Sequence, residues 1–499
     1  RSLSVRTSTG SKERCATDGA SAMMNGRMPA VSDWRTFLLL TVAFALFLCV
    51  QVLPITVSSD VIAFALRSTA PKPILGHAYL DARTLLHGTP LPNYHLSHTV
   101  LLWLVYQLAP GWLRHSVVPA GLFSALCGGL AVGLTFLIWL RLGLRRAEAA
   151  SIAVVAGLIP SIWYHGLIGE VYMPQLTAVL LFVALFLHAR YLLAALAMLL
   201  GILISPLAGR AFPLVLLHGW NKRLLWRAAW VAGLALLLYV AIHAAVGSNC
   251  LQVGHGLRSE AMHRPLGYKL LTFVGLVLLN LHVLIGPLIK GWQLCLRRRK
   301  RLLRTLAMAT APHLLLPVVS ADFLLDKGCF FLPLFWALAM PIGVAVAEGR
   351  TRRWVIPCAV GLVVVMQGVW ALPSYHLAEK RSEAGIALRA RFGQGVKVIG
   401  DWGTALPVAV EIAGWDYDSV ASHYFDCSFP ALSDLEATEQ DSLLVVIGSK
   451  PWLRRLVGRL PFPEFKVAEY KPAVSQEGQQ LQQVLANDDL SVYLWTRHR

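Results

Sequence analysis

The feature that most constrains this chain is a succession of apolar runs divided by short basic ones. Crossing a ~30 Å hydrocarbon core takes about 20 residues as a helix. Eleven apolar segments can be marked: 36–54, 117–140, 149–166, 173–189, 191–205, 209–220, 225–246, 267–288, 305–320, 330–347 and 354–373. The fifth and sixth are short and broken by Pro206 and Pro213, so they read as kinked spans or one re-entrant pair, which makes nine to eleven spans. Only 14% of the 499 residues are charged, against roughly 25% in soluble domains. The expected fold class is an α-helical polytopic membrane protein.

The formal net charge of +18 would suggest nucleic acid if the charges formed a patch. They sit instead between the apolar runs: Arg141, Arg145 and Arg146; Lys222, Arg223 and Arg227; Arg297 to Arg301 and Arg304; Arg350, Arg352 and Arg353. With the N-terminus in the cytoplasm every one of these runs is cytoplasmic, the positive-inside pattern. Nucleic acid is therefore not an expected partner. The stretches 55–116, 167–172, 206–208, 247–266, 321–329 and 374–499 then lie outside.

The organisation that follows is a polar, disordered 1–30, a membrane module at 31–373 with a long first external loop at 55–116, and a soluble extracytoplasmic domain at 374–499. Residues 36–54 are too long for the apolar core of a cleavable signal and read as an uncleaved first span. In the tail, strands are expected at 396–401, 442–447, 465–470 and 490–495, and helices at 405–412 and 452–460, which makes a small α/β domain. The 8 cysteines show no CxxC or Cys/His ligand spacing. Cys250 and Cys427 fall in external segments, either as free thiols or as a disulfide.

Few residues outside the membrane can carry chemistry. Asp60, just beyond the first span, can act as a general base or hold a divalent cation such as Mg or Mn, or it can serve as a helix N-cap. Glu170 sits in a tight external turn next to Tyr172 and suits catalysis or substrate binding, or is a solvated turn residue. The first loop adds His77, Tyr79, Asp81, Arg83, His87, Tyr94, His95 and His98, whose spacings fit no ligand template and favour packing or surface roles. Arg258, Arg264 and Lys327 are the external cations suited to a phosphate, with headgroup contact as the other reading. Neither GxxxxGK[ST] nor GxGxxG occurs, which speaks against an ATP-driven pump, and no GxSxG elbow is present.

Three stretches, in order, resemble the GT-C superfamily of membrane glycosyltransferases. More narrowly, they resemble the bacterial relatives of the animal endoplasmic-reticulum O-mannosyltransferase that modifies receptor ectodomains. The stretches are Ser59-Asp60-Val61-Ile62-Ala63-Phe64-Ala65; His98 to Leu140, with Pro110 and Phe123-Ser124-Ala125-Leu126; and Pro160-Ser161-Ile162-Trp163 through Glu170-Val171-Tyr172. Val57 stands where the family often has an earlier acid. Ser205-Pro206-Leu207-Ala208-Gly209 replaces a His-containing motif, and Lys327 stands nearest to where a late Arg is common.

The resemblance implies a glycosyltransferase that takes a sugar from a polyprenyl-phosphate carrier to a protein, lipid or glycan acceptor on the extracytoplasmic side. A bacterial inner membrane is the implied location, with membrane lipids as surroundings. Asp60 and Glu170 would be catalytic, with Asp60 as base or metal ligand. Arg258, Arg264, Lys327, His77 and Tyr172 would bind substrate and its phosphate. The competing expectations are a transporter or lipid flippase, and an inactive scaffold of the same fold.

Overall fold

The computed structural model describes residues 30–52, 59–73, 95–218, 222–246, 266–314, 329–348, 352–368, 372–400, 403–426, 442–448, 481–486 and 490–496. The helices in chain order are α1 (Val31–Cys49), α2 (Ser59–Thr69), α3 (Leu96–Leu108), α4 (Val118–Arg141), α5 (Arg146–Leu158), α6 (Pro160–His165), α7 (Tyr172–Leu187), α8 (Tyr191–Ile204), α9 (Lys222–Ala245), α10 (Leu266–Leu281), α11 (Ile285–Arg298), α12 (Lys300–Leu314), α13 (Leu332–Ala347), α14 (Arg352–Met366), α15 (Leu372–Phe392), α16 (Ala405–Ala413) and α17 (Tyr417–His423).

Five helical stretches among the described residues are long and apolar enough to cross a membrane: α1, α4, α9, the α10–α11 unit Phe273–Arg298, and Cys329–Ala347, which includes α13. Shorter apolar helices lie at α3, α7, α8, Pro206–Leu217 and Trp354–Met366. Leu38, Leu39, Leu46, Leu236, Leu237, Val364 and Val365 are exposed on the outer helices, which soluble chains avoid. The chain is an integral membrane protein.

The bundle is built around α4, which is buried along most of its length. α1 lies on it, α5 packs against α13, and α11 packs against α13. Small residues permit the close approaches: Gly129 of α4 faces Ala45, and Gly343 of α13 faces Ile152, as expected where dispersion rather than hydrophobic exclusion holds helices together. Trp139 and Trp336 stack at 5.2 Å, and the Trp336 indole donates to Thr135 Oγ1 at 2.8 Å. The stretch at 205–218 forms neither straight helix nor hairpin. After Ser205 the chain runs as a 3-10 helix from Pro206 to His218, a long one for its type, packed between α8 and α12.

At the basic end of the bundle a buried carboxylate ties three segments together. Glu148 reaches back to accept from the Arg145 backbone N–H at 2.8 Å, an N-terminal cap from the third helical position. It also pairs with the Arg145 guanidinium at 3.1 Å and with Arg299 at 2.8 Å. Arg298 pairs with Glu348 beside it.

The C-terminal part is a mixed sheet of β1 (Lys397–Gly400), β2 (Tyr424–Asp426), β3 (Ser442–Gly448), β4 (Leu481–Ala486) and β5 (Leu490–Thr496), in the order β2-β1-β3-β5-β4. β1 runs parallel to β2 and β3, while β5 is antiparallel to β3 and β4. β1 is buried at three successive positions, as parallel strands covered on both faces are. α17, β2 and β4 were not expected from the sequence. The segments at 452–460 and 465–470, and Cys250 and Cys427, lie outside the described residues. None of the described cysteines is paired with another.

Two attachments fix this domain to the membrane module. α15 runs along α16, where Ser382 Oγ donates to Glu411 Oε1 at 3.0 Å and Arg381 donates to the Gly403 carbonyl at 2.8 Å. The second is α2, buried from Val61 to Leu66, which packs on α3, α4, α16 and α17. Each fully buried Val, Ile, Phe or Leu side chain there contributes about 1.5–3 kcal/mol. α2 is thus part of the domain's hydrophobic core.

Candidate active site at the loop end of the bundle

The site is set up by a proline. Pro160 cannot supply a backbone donor, and it biases Ile159 to an extended conformation (φ −65°, ψ 126°). The helix that began at Arg146 therefore breaks at Leu158 and restarts as α6. The new helix start leaves the Ser161 N–H without an intrahelical acceptor. Oδ1 of the fully buried Asn280, on α10, accepts from it at 2.7 Å, and the Asn280 amide donates to the Leu276 carbonyl at 2.9 Å. The redirected α6 carries Trp163, Tyr164 and His165 into the bundle, all buried. The Trp163 indole donates to Gln51 Oε1 at 3.1 Å.

The His165 ring meets Tyr172 edge-on at 5.3 Å, and Tyr172 meets Phe330 edge-on at 5.8 Å. Tyr172 opens α7 and is partly buried. Between His165 and Tyr172 runs the turn that contains Glu170, itself partly buried. Its course is dictated by Gly169. A Cβ there would overlap Ala120 on α4, whose carbonyl carbon would lie only 2.8 Å away.

On the other side of Gly169 stands His98 of α3. It is fully buried, edge-on to Phe64 of α2 at 4.7 Å and 6.1 Å from Phe123 of α4. Burial, reinforced by neighbouring His95 and only partly offset by the Gly169 backbone, pushes its pKa down to about 3. His98 is therefore a neutral ring. The Nδ1–H of His95 donates to the Ile204 carbonyl at 2.6 Å, which ties the start of α3 to the end of α8.

The Phe64–His98–Gly169 contact brings two sequence candidates to one end of the bundle. Glu170 follows Gly169 directly. Asp60 belongs to the first turn of α2, one turn before Phe64; its side chain lies outside the described residues. Tyr172 joins Glu170. His77, Arg258, Arg264 and Lys327 also lie outside the described residues. His165 carries no sequence motif. Its only signal is a histidine in an apolar span, five residues before Glu170 and just past a proline. Among the described residues no group of three or more His, Cys, Asp or Glu side chains converges as a metal site.

No protein-family model matches the sequence, and no curated protein matches it. A solved structure does. ArnT from Cupriavidus metallidurans in the apo state superposes with a TM-score of 0.55 at 14% identity, over 93% of this chain and 98% of that one. ArnT is a GT-C glycosyltransferase. The match spans both the helical bundle and the small sheet that follows it, so the chain shares the fold of ArnT.

Proposed function

We propose that this protein is a glycosyltransferase that moves a sugar from a polyprenyl-phosphate carrier to an acceptor on the extracytoplasmic side of a bacterial inner membrane. The observation that carries the proposal is the Phe64–His98–Gly169 contact. It joins the helix of Asp60 to the turn of Glu170 within a GT-C fold. The orientation is supported by the polarity of the bundle. Arg145, Arg298 and Arg299 gather at the end opposite the Glu170 turn, at the start of α5 and the end of α11. Basic ends face the cytoplasm, so the candidate site faces outward and the N-terminus inward.

In this reading an acceptor hydroxyl attacks the anomeric carbon. The bond from that carbon to the carrier phosphate breaks, and a carboxylate of Asp60 or Glu170 takes the hydroxyl proton. Arg258, Arg264 and Lys327 are the cations proposed to hold the departing lipid phosphate, with His77 and Tyr172 beside the sugar. The acceptor is a protein, lipid or glycan, and the soluble domain packed on α2 is placed to present it. Holding a divalent cation against the phosphate is the other role proposed for Asp60, and the EDTA arm below tests it.

The test is transfer of radiolabelled sugar from a panel of polyprenyl-phosphate donors in membranes holding wild type, Asp60→Asn or Glu170→Gln at equal expression, with and without EDTA. Transfer by wild type that falls at least about a hundredfold in either variant supports the assignment. Full transfer by both variants overturns the site. Absence of transfer from every donor, with complementation of a deletion strain by both variants, overturns catalysis and favours a scaffold or transport role.

A further inference from the structure

Tyr172 opens α7, yet α7 does little to fix its ring. Val171, the residue before it, supplies no side-chain cap. A side chain in the first turn also has no earlier turn of its own helix to lie against. Two rings from elsewhere hold it instead. His165 of α6 meets it at 5.3 Å with the ring planes at 71°, and Phe330 meets it at 5.8 Å and 83°. His165 is 2% exposed, while Tyr172 and Phe330 are only partly buried. The His165 ring is itself flanked by Tyr164, edge-on at 5.5 Å.

Both flanks of Tyr172 are anchored on α10. α6 is aimed by the hydrogen bond from the Ser161 N–H to Asn280. Phe330 belongs to the short 3-10 helix Cys329–Phe331, in which the fully buried Phe331 packs at 5.0 Å on Phe273 of α10. α6 also touches that 3-10 helix directly. The slot between His165 and Phe330 is thus assembled from parts far apart in sequence and fixed to one helix. Aromatic pairs favour edge-on or offset arrangements, so a ring held between two edge-on neighbours keeps one tilt. That tilt is set two residues from Glu170.

We propose that His165 is a positioning residue for sugar transfer: it sets the tilt of the Tyr172 ring and, through it, the contact of that ring with the transferred sugar. The role rests on the glycosyltransferase reading above, in which Tyr172 lies beside the sugar. A tyrosine presents an apolar body and a polar tip, and a sugar presents C–H faces edged by hydroxyls. Turning the ring exchanges one kind of contact for the other. His165, buried behind Tyr172, acts through that ring rather than on the sugar. Tyr172 meets the sugar both before and during the reaction. Loss of its tilt therefore weakens both states and raises the donor KM, with kcat held. A histidine that only supported the Glu170 turn would lower kcat instead.

The experiment measures kcat and the donor KM of the full chain in detergent, with the undecaprenyl-phosphate sugar that wild type uses best. His165→Leu keeps the bulk and loses the flat ring. It should raise the donor KM about fivefold, the worth of one edge-on aromatic pair, with kcat within about twofold. His165→Phe restores a flat ring and should recover most of the loss. Tyr172→Leu should raise KM at least as much as His165→Leu, and adding His165→Leu to it should change KM less than about twofold, because the ring it acts through is gone. Thermal midpoints report folding, and His165→Gln serves if His165→Leu does not fold. An unchanged KM in His165→Leu overturns the proposal. So does an equal rise with and without Tyr172, or a fall in kcat at constant KM. Absence of transfer by wild type from every donor overturns the glycosyltransferase reading, and this role with it; the other outcomes overturn the role alone.

Discussion

Asn280 Oδ1, on α10, accepts a 2.7 Å hydrogen bond from the backbone N–H of Ser161, across 119 positions of sequence. It replaces the acceptor that the proline break took away, so the direction of α6 depends on a side chain from another helix. Asn280→Leu removes the acceptor while preserving most of the volume. It should destabilise the protein by about 1–3 kcal/mol, the cost of a buried unsatisfied donor. Sugar transfer should fall with it, because His165 and the Glu170 turn follow α6. An unchanged thermal midpoint in detergent would show that α6 holds its course without the bond.

Gly169 is the tightest point between the site and α4. A methyl group there meets Ala120, including its carbonyl carbon at 2.8 Å, so the Glu170 turn must move away. Gly169→Ala is expected to cost about 1–3 kcal/mol, as overpacking does, and to lower transfer more than sugar-donor binding. Ala120→Gly added to it should restore part of the loss, since it removes the methyl but not the backbone contact. No rescue by the double variant would place the defect elsewhere.

The depressed pKa of His98 makes stability depend on pH in a defined direction. With a folded value of about 3 against 6.5, the unfolded chain binds a proton between these limits and the folded chain does not. The contribution of His98 is present above pH 6.5 and is lost as pH falls toward 3. Between about pH 7.5 and 5 the loss is about 2 kcal/mol for this one group. His98→Phe keeps a flat ring beside Phe64 and does not titrate. Its thermal midpoint should fall less than that of wild type over this interval. Parallel decreases in the two proteins would show that His98 takes up a proton while folded.

The parts of this protein governed by composition and period were legible in sequence. Span-length apolar runs and the basic residues between them mark the bundle and its polarity. Glu170 stood out because an acid in a two-span turn is rare. His98 was expected in a packing or surface role, and the structure buries it fully. What the chain alone did not disclose depends on partners far apart in sequence. His165 acquires its place from Asn280, and α2 becomes part of the C-terminal domain's core only through α16 and α17. β2 and β4 are short or polar, with Gln482 and Gln483 in β4. They become strands because β1 and β5 offer them an edge. The 3-10 course after Ser205 reflects Pro206 and Pro213, whose rings mark a break without specifying its geometry.

The buried Glu148 at the basic end separates two kinds of ion pair on one carboxylate. The Arg145 side chain is 64% exposed and that of Arg299 only 24%. Water screens the first pair, and both ends of an exposed pair are solvated once it breaks, so Arg145→Gln should cost about 0–1 kcal/mol. The backbone N–H of residue 145 still caps the helix in that variant. Arg299→Gln leaves a carboxylate that is 4% exposed without its better-shielded cation, which should cost about 2–3 kcal/mol. It also frees the junction of α11 and α12 from α5. Glu148→Gln should resemble Arg299→Gln, because it loses the same charge pairing. A double-mutant cycle on thermal unfolding of Glu148→Gln and Arg299→Gln should therefore show strong coupling, and the same cycle with Arg145→Gln weak coupling. Equal coupling in the two cycles would mean that burial does not distinguish the pairs, and that the basic end is held by packing of α5 on α13 instead.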